Sequence, residues 1–255
     1  MRRDIDDALL GWPYDPDPGE VVAREIRARD GRALLQVRVE LGVLQLETEG
    51  RPDGTKPHGF VTYLDYLRHR AASRGLAPGA KAPSWTMNGD HALEIDREFI
   101  QFYHRRVAWL ALQRYEKALR DAEHTLALMD FIHRHSTDEE FLAKHDRFRG
   151  LVLFHRTQAL AALSIERRKP DEAIDAVREG LEKLTVHQTT WGENHEGEEA
   201  INQPLIDQLR DIESEIRKNY AVEKTLKEQL DEAVADEDYE RAARLRDIIR
   251  SRGPH

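Results

Sequence analysis

Apolar and polar residues alternate along residues 20–49, a pattern typical of short, half-buried β-strands. The apolar positions are Val22, Ile26 and Ala28 in a first run and Leu35, Val37, Val39 and Leu41 in a second. Asp30-Gly31 separates the two runs. Because both residue types tolerate positive φ angles, this dipeptide predicts a two-residue type I′ hairpin turn.

The alternation changes phase after Gly42, where Leu44 and Leu46 follow. A one-residue β-bulge at Gly42 explains the change, and a second turn is the alternative. Residues 50–54 then predict a type I turn, with Pro52 at its second position and Gly54 at its fourth. So small a sheet is marginal alone and needs a helix on its apolar face. The helical spacing of Phe60, Tyr63, Leu64 and Leu67 predicts that helix.

A loop rich in glycine and proline follows from Gly75 to Pro83, and we expect Trp85 and Met87 beside it to pack against the domain. From about Asp90 to Thr185 the spacing of apolar residues predicts helices throughout. The first of these has its apolar side chains at Phe99, Phe102, Tyr103, Val107, Leu110 and Ala111.

Two stretches of this helical region are similar to each other and to the second helix of a tetratricopeptide repeat. They begin at Tyr115 and Pro170, and each carries a small residue, Ala118 or Ala173, that allows a neighbouring helix to approach closely. The two copies are farther apart than the roughly 34 residues of a plain repeat. A helical extension with a capping box at Ser136 to Glu139 accounts for the excess.

The first helices of the two copies match the repeat less well. Leu160 and Ala161 approach its pair of leucine and small residue, whereas the first copy has Arg105 and Arg106 there. The region is therefore expected to be repeat-like rather than a regular array.

Pro204 is suited to open a final long helix with a heptad seam of the coiled-coil kind. The polar pair Asn219 and Glu223 interrupts this seam and predicts a break in the helix. The seam positions are Leu205, Leu209, Ile212, Ile216, Asn219, Glu223, Leu226, Leu230 and Ala233.

The segment after the break resembles the UVR motif, through an aromatic-Glu-x-Ala-Ala-x-aliphatic-Arg-Asp signature from Tyr239 to Asp247. This motif occurs in the excision-repair proteins UvrB and UvrC, in Clp-family unfoldase ATPases and in small regulators of the protein-arginine kinase. The resemblance implies a short antiparallel helix hairpin that contacts other proteins.

Elementary physical chemistry predicts the same hairpin. The acidic run from Asp236 to Asp238 ends one helix and caps the next. Tyr239, Ala242, Ala243 and Ile249 are expected to pack on Leu226, Leu230 and Ala233. The partner-binding residues expected here are Leu226, Leu230, Ala233, Tyr239, Ala242, Ala243, Leu245, Arg246, Asp247 and Ile249. Arg246 and Asp247 lie near the edge of the seam, where a charge pair can select a partner.

The partner predicted by the charge pattern is a protein rather than a nucleic acid. The chain has a net charge of −9, and residues 224–252 carry seven lysines and arginines against eight acidic residues. A phosphate-binding surface usually carries a basic patch, and none is evident. The partner is then a protein with a UVR-like or other helical docking surface, or a second copy of this chain. An intramolecular hairpin that merely completes its own domain is the alternative.

Two further functions stay open on the sequence alone. Asp121 with His124 and Asp130 with His133 each lie on one helix face, and His104 could lie on a neighbouring helix, which would make a metal-binding or enzymatic helical domain. Direct DNA binding through Arg105 and Arg106 is the other. No familiar catalytic motif occurs, so no catalytic residue, metal ligand or cofactor is predicted. With no cysteine, disulfides, thiolate zinc sites and thiol catalysis are excluded.

Together these patterns predict a mainly α protein in three segments. Residues 1–75 form a β-hairpin module with its covering helix, 76–200 a tetratricopeptide-like helical domain, and 201–255 a long helix and the UVR hairpin. The chain shows neither a signal peptide after its first arginines nor a membrane-length apolar run. We therefore expect a bacterial, cytoplasmic adaptor in excision repair or Clp-type stress proteolysis.

Overall fold

The computed structural model describes residues 5–12, 21–73, 87 and 89–251, and these are mainly α-helical with one small sheet. The predicted fold class is confirmed. The chain forms two compact units, residues 1–155 and residues 156–255. The predicted segment boundaries near residues 75 and 200 stay predictions, and the loop from Gly75 to Pro83 and Trp85 lie outside the described residues.

The sheet of the first unit has three antiparallel strands in the order β1-β2-β3. They are β1 (Ala23–Arg27), β2 (Ala33–Val39) and β3 (Gly42–Glu47). The type I′ turn predicted at Asp30-Gly31 is wrong. Ala28 N donates to Arg32 O at 2.8 Å and Gly31 has φ +87°, so residues 29–31 form a three-residue loop that closes on a left-handed glycine.

The change of phase at Gly42 is caused by a second turn and not by a bulge. Val39 pairs with Gly42, which leaves Glu40 and the exposed Leu41 as a two-residue turn. The β-turn predicted after the sheet is confirmed, because Gly54 N donates to Arg51 O at 2.9 Å, and its type I geometry stays a prediction.

The helix predicted after the sheet is present as α2 (Tyr63–Ser73), but its core partners are helices. Tyr63, Leu64 and Leu67 pack with residues of α3 (Gly89–Ala111) and α4 (Tyr115–His135), and Met87 packs on this cluster as expected. Phe60 lies before α2, after a 3₁₀ turn at Pro57–Gly59. Another helix, α3, contacts both β1 and β2.

The first unit also contains α1 (Asp6–Leu9), α5 (Glu139–Asp146) and the start of α6 (Arg149–Glu166). The capping box predicted from Ser136 to Glu139 is wrong, because the N-cap residue of α5 is Asp138 and not Ser136. Asp138 is the N-cap of α5 and accepts from Phe141 N at 3.0 Å, while Ser136 Oγ accepts from Asp138 N. Aspartate and serine cap helices about equally well, so their order along the chain alone does not choose between them.

A buried ion pair connects the sheet to the helices at Arg105, one of the two positions where the first copy departs from the tetratricopeptide pattern. Arg105 on α3 makes two hydrogen bonds to Asp121 on α4, at 2.8 and 2.7 Å. Its Nη1 also donates to the carbonyls of Glu47 and Gly50, at the end of β3. Arg105 thus satisfies loop carbonyls that a leucine at this position would leave unpaired.

The second unit is helical, with the rest of α6, α7 (Pro170–Asn194), α8 (Gln203–Tyr220), α9 (Leu226–Ala235) and α10 (Tyr239–Ser251). Ala118 on α4 and Ala173 on α7 are both fully buried. The second copy also has a close approach at Gly180, where an added Cβ would lie 2.2 Å from Thr157 Oγ1. A helical domain is therefore present, and its likeness to tetratricopeptide repeats stays a prediction.

The predicted break in the heptad seam is confirmed. Pro204 lies in the first turn of α8, and the helix ends at Tyr220, followed by the cap residue Ala221 with φ +52°. Leu209 and Ile216 are buried, Leu205 and Ile212 are half-buried, and Asn219 and Glu223 are exposed. Within the described ranges, none of the helices has the length and apolar character to cross a membrane.

Replacing Arg105 by alanine is expected to destabilise the first unit by about 3–5 kcal/mol, because Asp121 would remain as a buried, unpaired charge. The matched control is Arg120→Ala, which removes an exposed ion pair with Glu49 and a hydrogen bond to the Thr48 carbonyl and should cost about 1–2 kcal/mol. Urea denaturation of both variants measures the difference. Equal losses would contradict a special role for the buried pair.

Candidate functional site

The candidate docking site is the hairpin of α9 and α10. The acidic run shapes its turn as predicted: Asp236 ends α9, Glu237 takes φ +57°, and Asp238 Oδ1 accepts from Arg241 N at 3.0 Å in the first turn of α10. Asp238 lies at the N-terminus of α10, where the helix dipole favours its negative charge.

The hairpin closes a small core of its own. Ala233, Ala242 and Leu245 are its buried residues, and the partly buried Leu226 and Leu230 pack against them. The two alanines let the helix backbones approach closely. A core this small contributes little stability, so the hairpin depends on contacts at its base.

The apolar stripe predicted for α10 is correct at Ala242 and wrong at Tyr239, which is 69% exposed. Tyr239 is the first residue of α10 and lies beside the turn. The core contacts of α10 begin one helical turn later, at Ala242. Leu245 takes the central apolar position, and Ala243 and Ile249 are half-buried. Arg246 and Asp247 are both exposed, with Nε and Oδ1 3.8 Å apart.

Thr225 anchors the base of the hairpin to α7. It is fully buried, its Oγ1 accepts from Glu228 N, and Glu228 Oε2 accepts from Thr225 N at 2.6 Å, which completes a capping box. The same hydroxyl donates to Asp175 Oδ1 at 2.8 Å. The sequence pattern Thr-x-x-Glu from Thr225 to Glu228 is the signal for this cap, and it was not among the predictions.

Four charges reinforce the base. Glu228 and Glu213 alternate with Arg178 and Arg217, with N–O distances of 2.6–2.9 Å, and so connect α7, α8 and α9. Desolvation opposes the charge on Glu228, but the Thr225 amide, Arg217 and Arg178 outweigh it and lower its pKa. The network therefore holds Glu228 ionised at neutral pH.

Large apolar side chains remain exposed beyond this base. They are Val234 and Tyr239, which flank the turn, and Ile248 on α10. Tyr239 is among the predicted partner-binding residues, whereas Val234 and Ile248 are not. Both residues are apolar but lie outside the heptad spacing of the seam. Sequence alone does not show whether such a residue is exposed or packed in the core, because that depends on the orientation of the helix.

The histidines and aspartates considered as metal ligands have separate partners. Asp121 pairs with Arg105, His124 with Glu98 at 3.0 Å, Asp130 with Arg149, and His133 with Asp146 at 3.3 Å. Across residues 5–12, 21–73, 87 and 89–251, no group of three or more histidine and acidic residues could hold a metal ion.

The DNA-binding alternative is not supported at the residues proposed for it. Arg105 and Arg106 are each 1% exposed, so neither guanidinium is available to a phosphate backbone.

Replacing Thr225 by alanine is expected to loosen the hairpin by about 1 kcal/mol, because one cap is lost and Asp175 loses its hydroxyl donor. Amide hydrogen exchange should show faster exchange across residues 226–251, while Thr225→Ser, which keeps the hydroxyl, should remain near wild type. Unchanged exchange in Thr225→Ala would contradict the anchoring role.

Asp175 provides a pH test of the same contact. Burial raises its pKa, as do Glu228 and Asp171, against the opposing Thr225 hydroxyl and Lys227. A raised pKa in the folded state means that the charged form costs stability at neutral pH and that this cost disappears below the ordinary aspartate range, about pH 4. Asp175→Asn should therefore be more stable than wild type at pH 7, with a difference that shrinks on acidification.

Urea denaturation of both proteins between pH 3 and 7 measures this difference. The exposed Asp231→Asn is the control and should show little change. A less stable Asp175→Asn variant at pH 7 would show that the carboxylate charge, rather than its hydrogen bond, holds the base.

Comparison with known families agrees with the boundaries of this hairpin. Residues 224–251 match the family model described as the UvrB/uvrC motif. No curated protein and no solved structure matches the chain. The matched residues run from Lys224, beside the Thr225 cap, to the end of α10 at Ser251. The chain carries a UVR motif, and the motif coincides with the anchored hairpin.

Proposed function

We propose that this protein is an adaptor that docks a protein partner through the exposed end of its UVR hairpin. The observation that carries the proposal is that different residues of the hairpin form its core, its attachment to the domain and its exposed surface. Its core is closed by Ala233, Ala242 and Leu245, its base is anchored by Thr225, and Tyr239 is left outward.

The exposed residues have the chemistry of a docking surface. Tyrosine is enriched among the residues that dominate binding energy, because its large ring buries much area at a low cost in side-chain entropy. Val234 and Tyr239 flank one turn that also carries three carboxylates. An apolar centre with a charged rim is the usual anatomy of a transient interface.

The motif indicates which partners to test. UVR motifs are associated with excision repair of the UvrABC type and with Clp-related interactions. We infer that the partner is a protein of one of these two systems that presents a helical docking surface, or a second copy of this chain. Both systems operate in the bacterial cytoplasm, which is where we place the protein.

The rest of the chain would then form the body of the adaptor that carries the hairpin. In this proposal residues 76–200 act as a tetratricopeptide-like helical domain between the N-terminal module and the docking segment. Arg246 and Asp247, exposed on α10, supply charge selectivity at the edge of the surface.

The test is a binding measurement with the full chain and two matched variants. Tyr239→Asp places a charge on the proposed surface without touching the hairpin core, and Tyr220→Asp makes the same change at a 47% exposed tyrosine outside the motif. Binding is measured by calorimetry with UvrB and with the Clp-family ATPase of the same cell, and self-association by analytical ultracentrifugation.

Tyr239→Asp is expected to weaken the productive interaction at least about tenfold, since truncated anchor residues typically cost 2 kcal/mol or more. Tyr220→Asp should bind like wild type. If wild type binds neither partner and does not self-associate, or if Tyr239→Asp binds as tightly as wild type, the proposed docking surface is wrong.

A further inference from the structure

An apolar cavity of about 430 Å³ lies in the first unit, where α3, α5 and the start of α6 meet. Its walls are formed mainly by aromatic and aliphatic side chains: Phe99, Ile100, Tyr103, Phe148, Leu151 and Val152. Ile100, Tyr103 and Phe148 are also exposed to solvent, so the cavity is open. Its volume falls in the range of about 300–1,000 Å³ that is typical of small-molecule sites.

A buried cation lies in the wall of this cavity. Arg106 is 1% exposed, and its guanidinium has neutral partners: Nη1 donates to Thr125 Oγ1 at 2.9 Å and Nε to His155 Nδ1 at 3.2 Å. The Tyr103 ring lies 5.9 Å from its Cζ. In the part of the chain that the structure describes, no carboxylate forms an ion pair with Arg106. This is the opposite of the neighbouring Arg105, which is fully paired with Asp121.

Asp121, which is bonded to Arg105, attracts the charge of Arg106 without forming an ion pair with it. Burial outweighs this attraction and lowers the pKa of Arg106 to about 10, so Arg106 stays charged at neutral pH. Burial and the Arg106 charge lower the pKa of His155 to about 3, and burial lowers the pKa of His104 and of His145. The other charged groups of the cavity, Lys144 and Asp96, pair with each other at 2.6 Å.

We propose that this cavity binds a small amphipathic carboxylate, with its anionic group on the Arg106 side and its apolar body against Phe99, Ile100 and Phe148. A guanidinium held at fixed geometry in an apolar wall favours an anion that can accept its N–H donors. A buried charge without an ion-pair partner is costly, and an anionic ligand reduces that cost.

The apolar lining favours a ligand with a single anionic group over a polyanion. A nucleotide or another polyanion would need several cationic or polar donors around its phosphates, whereas the described lining of this cavity offers one cation without an ion-pair partner. A single carboxylate on a hydrocarbon or aromatic body matches both the charge and the walls. The site is separate from the UVR hairpin and does not depend on the docking function proposed above.

The experiment compares three probes of equal chain length on the intact protein: octanoate, octanol and octylammonium. Isothermal titration calorimetry should show octanoate binding at least about tenfold more tightly than the other two, because only the carboxylate gains a charge-assisted hydrogen bond. Amide shift changes in NMR spectra should locate octanoate at α3, α5 and α6.

Two variants on α3 provide the matched pair. Ile100→Glu puts a negative charge in the exposed wall of the cavity and should weaken octanoate at least about tenfold. Leu93→Glu makes the same kind of change at an exposed position outside the lining and should leave binding unchanged. Both positions are exposed, so neither variant disturbs the core.

A third variant, Arg106→Met, should remove the preference for octanoate over octanol. The proposal is overturned if octanoate does not bind, if it binds no more tightly than octanol, or if Ile100→Glu and Leu93→Glu bind it equally. These outcomes are decided by surface variants and wild type, so they do not rely on the folding of Arg106→Met.

Discussion

The C-terminal hairpin depends on one constraint: its own core is too small to hold it in place. One leucine and two alanines are its buried residues, so the position of the hairpin rests on a single buried hydroxyl and a ring of charges at the base. Thr225 caps α9 and reaches Asp175 on α7 at the same time. Because both bonds use one side chain, formation of the first turn of α9 and its attachment to the domain are linked.

This arrangement explains how so small an element can serve as a docking surface. The base is polar and held by hydrogen bonds and ion pairs, while the turn carries exposed apolar residues beside three acids. A partner that covers Val234 and Tyr239 gains buried apolar area without displacing the base contacts. The preorganised hairpin reduces the entropy that docking would otherwise cost.

The sequence predicted elements well and individual side chains less well, for identifiable physical reasons. The period-two strands, the break near Asn219 and the acidic turn depend on local chemistry, and all three are present. Tyr239 was misjudged because helical spacing does not show where a facing helix ends. The three-residue loop at Gly31 and the caps Asp138 and Thr225 were missed because several residues could fill each role. Arg105 and Arg106 look alike in sequence, and only their partners distinguish a paired from an unpaired cation.

The most direct test of the docking account is amide hydrogen exchange of the full chain, alone and with each candidate partner at saturating concentration. The account predicts new protection centred on residues 234–243, around the turn of the hairpin, and little change in the sheet of the first unit. Protection confined to the first unit, with the hairpin exchanging as in the free protein, would contradict it.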